Sequence, residues 1–111
     1  MHLKFDFAFD ELPERIAALR AEWDVLDDVA RRLTDHKSIV FSELVNQAPE
    51  TSIERAKHWA RTHDKNRDII DRARVARTAA NLKLSEYKSL NQQWETMRSL
   101  NASERAEMTM R

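Results

Sequence analysis

Cysteine is absent from this 111-residue chain, which excludes a disulfide framework, a thiol nucleophile and a thiolate metal site. Glycine is absent as well. Walker-type and dinucleotide-binding loops cradle phosphate with glycines at positive φ, so neither is available, and glycine-dependent hairpin turns go with them. Proline occurs only at Pro13 and Pro49. No stretch approaches the ~20 consecutive apolar residues that span a bilayer, and the start of the chain lacks a basic segment followed by an apolar run. The expectation is a protein without membrane partners, working in the cytoplasm. What remains is dominated by Ala, Leu, Glu, Lys and Arg, all good helix formers, and an all-α fold is expected.

The net charge of zero hides a division. Residues 1–50 carry 6 Lys/Arg against 11 Asp/Glu, and residues 51–111 carry 13 against 8. Either the acidic and basic segments pair with each other, or the basic segment is a surface for an acidic partner.

Along the chain, Leu3, Phe5, Phe7 and Phe9 alternate at period two, which predicts a short extended N-terminal arm over residues 1–10. One helical domain is expected over 11–111, with helices at about 11–48, 52–63, 66–100 and 103–109. Pro13 suits a first helical turn, and Pro49 a stop. Between them a heptad pattern places Ile16, Trp23, Ala30, Lys37 and Leu44 in one set and Leu19, Leu26, Leu33, Val40 and Gln47 in the other. The polar run Thr34–Ser38 is its weakest part, and a kink is expected there. Thr51-Ser52-Ile53-Glu54 fits a capping box, and Ile53, Ala56, Trp59 and Ala60 an apolar face. Thr62–Asn66 contains no apolar residue, which predicts a break or kink. The last long segment carries Ala73, Ala76, Ala80, Leu84, Tyr87 and Trp94 on its packing face, the alanines permitting close helix approach, and Ser103 suits the cap of a short terminal helix. The architecture expected is an elongated helical hairpin or bundle with coiled-coil packing. Its uncovered length and apolar seam favour a homo-oligomer.

No enzyme signature emerges. Glu54 and His58 lie one turn apart, but His63 shares no face with His58, so no metal or other cofactor is expected. Asp27 and Asp28 are adjacent on a helix and diverge, which suits them poorly to shared acid–base work. The basic segment is more informative, with ten Lys/Arg and four Asp/Glu between Arg55 and Lys88. At 100° per residue Arg61, Lys65, Arg72 and Lys83 fall within about 40° of one another if their helix is continuous, with Arg74 and Arg77 on the other flank. These six are the candidate nucleic-acid-binding residues, as a track for the phosphates of single-stranded DNA or RNA. The competing reading pairs the same residues with the acid-rich first helix.

Arg77-Thr78-Ala79-Ala80-Asn81-Leu82-Lys83-Leu84-Ser85-Glu86-Tyr87, followed by Trp94-Glu95-Thr96-Met97-Arg98-Ser99 and Arg105-Ala106-Glu107-Met108, resembles the C-terminal half of small helical proteins of tailed phages. Some of these are similar to UvsY-type recombination mediators. The resemblance implies an oligomer in the host cytoplasm that binds single-stranded DNA and helps load a recombinase. It carries no DNA-binding motif residue by residue, so the six basic candidates rest on charge alone. Two further readings stay open. One is a protein-binding adaptor, assembly chaperone or inhibitor acting through Asp24, Asp27, Asp28 and Asp35 or the coiled-coil surface, and the other is a purely structural coiled-coil component.

Overall fold

A computed structural model of the chain describes residues 11–110, and the expected arm over 1–10 lies outside them. Three helices follow in order: α1 (Leu12–Gln47), α2 (Ile53–Thr62) and α3 (Asp64–Met110). The fold is all-α, helix packed on helix, and no strand occurs among the described residues.

The helix ends follow from local chemistry. Pro13 is the second residue of α1, where its missing N–H would have had no intrahelical partner, and Glu14 places a negative charge in the same turn. Ala48, immediately before Pro49, is driven out of helical geometry by the proline ring, and α1 ends at Gln47. The expected kink in the polar run does not break α1. Thr34 donates its hydroxyl to the Ala30 carbonyl at 2.9 Å, so the side chain stays satisfied within the helix. At α2 the cap is Ser52 in extended geometry, with no side-chain capping bond, so the expected capping box through Thr51 does not form. Ile53, expected on the apolar face, is exposed because it opens the helix ahead of the turn that packs. The chain breaks once more at His63 alone, and α3 then runs without interruption through residues 101–103. The separate terminal helix expected over 103–109 is part of α3, because Asn101 and Ser103 cost only a few tenths of a kcal/mol each in a helix that neither glycine nor proline interrupts.

Packing falls into two compact units within this run of helices. The first comprises residues 11–23 and 82–110. Leu12, Leu19 and Leu90 are its buried centre, with Ile16, Tyr87, Trp94 and Met97 packed against them. Each leucine so buried contributes about 1.5–3 kcal/mol by leaving water. The guanidinium of Arg20 lies over Trp23 at 4.8 Å and Tyr87 at 5.6 Å.

The second unit comprises residues 24–81 and is built differently. Its buried residues are mostly small: Ala30, Ala56, Ala60, Ala73 and Ala80, with Leu44 and Ile69. Asn66 is the one polar residue buried among the described ones. Of the remaining seam residues expected from the heptads, Leu26, Leu33 and Ala76 are half-buried in this unit, as are Trp23 and Leu84 in the first.

Candidate nucleic-acid interface

Four of the six basic candidates are held by carboxylates. On α3, Arg72 pairs with Asp68 at 3.1 Å and Arg74 with Asp71 at 2.9 Å, both within the helix. Arg77 crosses to α1 and donates to Asp27 at 2.7 Å, while Arg31 reaches the other oxygen of the same carboxylate at 2.9 Å. In the first unit Lys83 crosses to Glu22 at 3.1 Å and also meets Glu86 at 3.5 Å. The acidic first helix therefore neutralises part of the basic third one.

The electrostatics of the two crossing pairs are matched. The Arg77 hydrogen bond, helped by Arg31, holds the Asp27 carboxyl below its ordinary range against the opposing effect of desolvation. The hydrogen bond to Glu22, helped by Glu86, raises the Lys83 ammonium above its usual value, again against desolvation. On the acidic face, Asp27 is engaged by two arginines, and Asp28 pairs with Arg32 at 3.0 Å.

Arg61 and Lys65 differ. Neither makes an ion pair among the described residues. They do not share a stripe, because His63 separates Arg61 on α2 from Lys65 on α3 and the continuous helix that would align them does not exist. Lys65 lines a groove with Glu43 and Asp68, which are acidic. Arg61 instead lines a groove of about 460 Å³ in the second unit with Lys37, Ser38, Phe41 and Ser42 of α1 and Asn66 and Ile70 of α3. Lys37 has no ion-pair partner among the described residues either.

Each wall of this groove has a local origin. Lys37 occupies a seam position of the α1 heptads, is half-buried, and lines the groove. Phe41 follows one turn later and is half-buried. Arg61 sits in the last turn of α2, and its carbonyl accepts the Asn66 side-chain amide at 3.4 Å, which ties the end of α2 to the first turn of α3. Two cations, two hydroxyls, an aromatic ring and an apolar side chain thus border one cavity, the complement of a phosphate joined to a planar base. Lys37 was missed by charge counting in the second half of the chain. Its signal was present nonetheless, as a lysine in the heptad set it shares with Ile16, Trp23, Ala30 and Leu44.

No group of three His, Asp or Glu side chains among the described residues is placed to hold a metal ion, and no helix among them is long and apolar enough to cross a membrane. A family model described as a protein of unknown function, DUF3106, matches residues 10–110. No curated protein and no solved structure matches the chain significantly.

Proposed function

We propose that this chain, which belongs to the DUF3106 family of proteins of unknown function, is a non-enzymatic binding protein that takes single-stranded nucleic acid in the Lys37–Arg61 groove. The observation that carries the reading is the contrast in pairing: Arg72, Arg74, Arg77 and Lys83 are paired with carboxylates, whereas Lys37 and Arg61, which have no ion-pair partner among the described residues, line one cavity with Phe41 at its wall. Phosphate between two cations supplies affinity without sequence preference, and the ring offers a stacking surface to any base. Recombinase loading, implied by the C-terminal resemblance, is the setting in which such binding would act.

Self-association belongs to the same proposal. Val25, Val29 and Ile39 are 65%, 44% and 52% exposed. At 100° per residue all three lie within about 80° on one side of α1, an apolar stripe that a second copy would cover.

Light scattering with and without a single-stranded oligonucleotide tests both parts. The expected result is a mass above the monomer that rises on adding the oligonucleotide at low salt, with the rise lost in the K37A/R61A variant. A monomer whose mass is unchanged by the oligonucleotide at low salt overturns the proposal.

A further inference from the structure

His63 is the only residue between α2 and α3, and nearly every polar group it has is committed to that joint. Its backbone is extended, with φ −71° and ψ 140°. Its N–H donates to the Ala60 carbonyl at 3.2 Å, closing α2. Its carbonyl accepts the N–H groups of Asn66 at 3.1 Å and Arg67 at 3.2 Å, opening α3. The imidazole Nδ1 then accepts the N–H of Lys65 at 3.1 Å. This is the bond that a serine or aspartate makes as a helix N-cap, here made by a histidine.

A histidine in that role differs from the usual capping residues in one respect. Nδ1 can accept only while it carries no proton, which fixes the neutral ring with its hydrogen on Nε2. Protonation turns the acceptor into a donor facing the Lys65 N–H, and it sets a positive charge on the positive end of the α3 dipole. We infer that His63 is a pH-sensitive latch on the α2–α3 joint, closed when the imidazole is neutral and released when it is protonated.

The surroundings set how release is felt. Trp59 packs against the imidazole with ring centroids 4.9 Å apart and planes at 56°, a contact that either protonation state can keep. The ring therefore remains with α2, and the change falls on the α3 side. The charged and titratable groups of the joint are His58 and Arg61 on α2, Asp64, Lys65 and Arg67 on α3, and Lys37 on α1, which borders the groove shared by Arg61 and Asn66. Because the Asn66 amide holds the Arg61 carbonyl across this joint, a released cap also loosens the placement of Arg61. The latch itself stands whether or not the groove binds nucleic acid.

Nuclear magnetic resonance on the full chain tests it. The His63 ring nitrogens and the Lys65 amide are followed between about pH 8 and pH 5, the interval over which histidine ordinarily changes charge. The Lys65 amide is expected to shift with the same midpoint as the His63 ring, and its hydrogen-exchange protection, corrected for intrinsic rates, to fall about fivefold or more. An H63N variant, which caps without titrating, keeps the protection across the range, and an H36Q/H58Q variant leaves the transition in place. Lys65 protection that stays flat while His63 titrates in the wild-type chain overturns the latch, as does an unchanged transition in H63N.

Discussion

The two units of this molecule solve helix packing with different materials. The first closes on leucines and aromatics, with Leu12, Leu19 and Leu90 at its centre and Tyr87 and Trp94 beside them. The second closes largely on alanines, and its buried polar residue, its helix joint and the groove lined by Lys37 and Arg61 lie close together. Large side chains bury more apolar area per residue and supply stability. Alanines let backbones approach and leave room at the edges, where Lys37, Phe41 and Arg61 border a cavity. The large-residue core and the groove proposed to bind thus lie in different stretches of the chain.

The largest effect is expected from removing a leucine of the first unit. Leu19→Ala is expected to destabilise the fold by about 2–5 kcal/mol in urea unfolding, and a loss no larger than that of a surface substitution would show that this core is not the stabilising one. The second unit should fail in the opposite sense. Ala60→Leu inserts volume where Ala60 is fully buried, at an expected cost of about 1–3 kcal/mol in the same measurement, whereas leucine at the exposed Ala18 should be close to neutral.

Acid sharpens the contrast further. Asp27 has its pKa lowered by Arg77, so its contribution is complete above the ordinary carboxylate range and is lost as pH falls through the depressed folded value. Thermal melts of wild type and D27N should therefore converge as pH is lowered, and a gap that persists in strong acid would contradict the pairing. Lys83 behaves in mirror image: its raised pKa gives stability present at neutral pH and lost only as strongly alkaline pH passes the folded value. The smallest effect is expected at Arg20, where replacement by methionine keeps the apolar stem but removes the cation over Trp23 and Tyr87. A loss of about 0.5–1 kcal/mol would be read in the melting temperature.

Much of this was legible in the residues. Composition without glycine and with two prolines points to helices, and Pro49 and the apolar-free run around His63 mark their ends because backbone chemistry is local. Heptad spacing also identifies inward residues, and Leu19, Ala73 and Ala80 are buried where the pattern puts them. Pairing was less legible. Whether Arg77 faces solvent or Asp27 depends on which turn of α1 lies opposite it, and helical periodicity carries no information about register between helices. The same holds for Lys37, whose partners in the groove come from three helices. The unbroken end of α3 escaped for another reason: Asn and Ser are permitted cap residues, but a cap signal does not stop a helix that has no breaker.

The proposal places binding at the groove lined by Lys37 and Arg61, not along the whole basic segment. Fluorescence anisotropy of a labelled single-stranded oligonucleotide, titrated side by side with wild type, K37A/R61A and R72A/R74A across a range of salt concentrations, tests it most directly. Both variants remove two positive charges, so net charge alone cannot separate them. K37A/R61A is expected to lose about tenfold or more in affinity, with the salt dependence shallower by about 1.4 in log–log slope, while R72A/R74A stays close to wild type. Equal losses in the two variants, or no binding by the wild type at low salt, would contradict it.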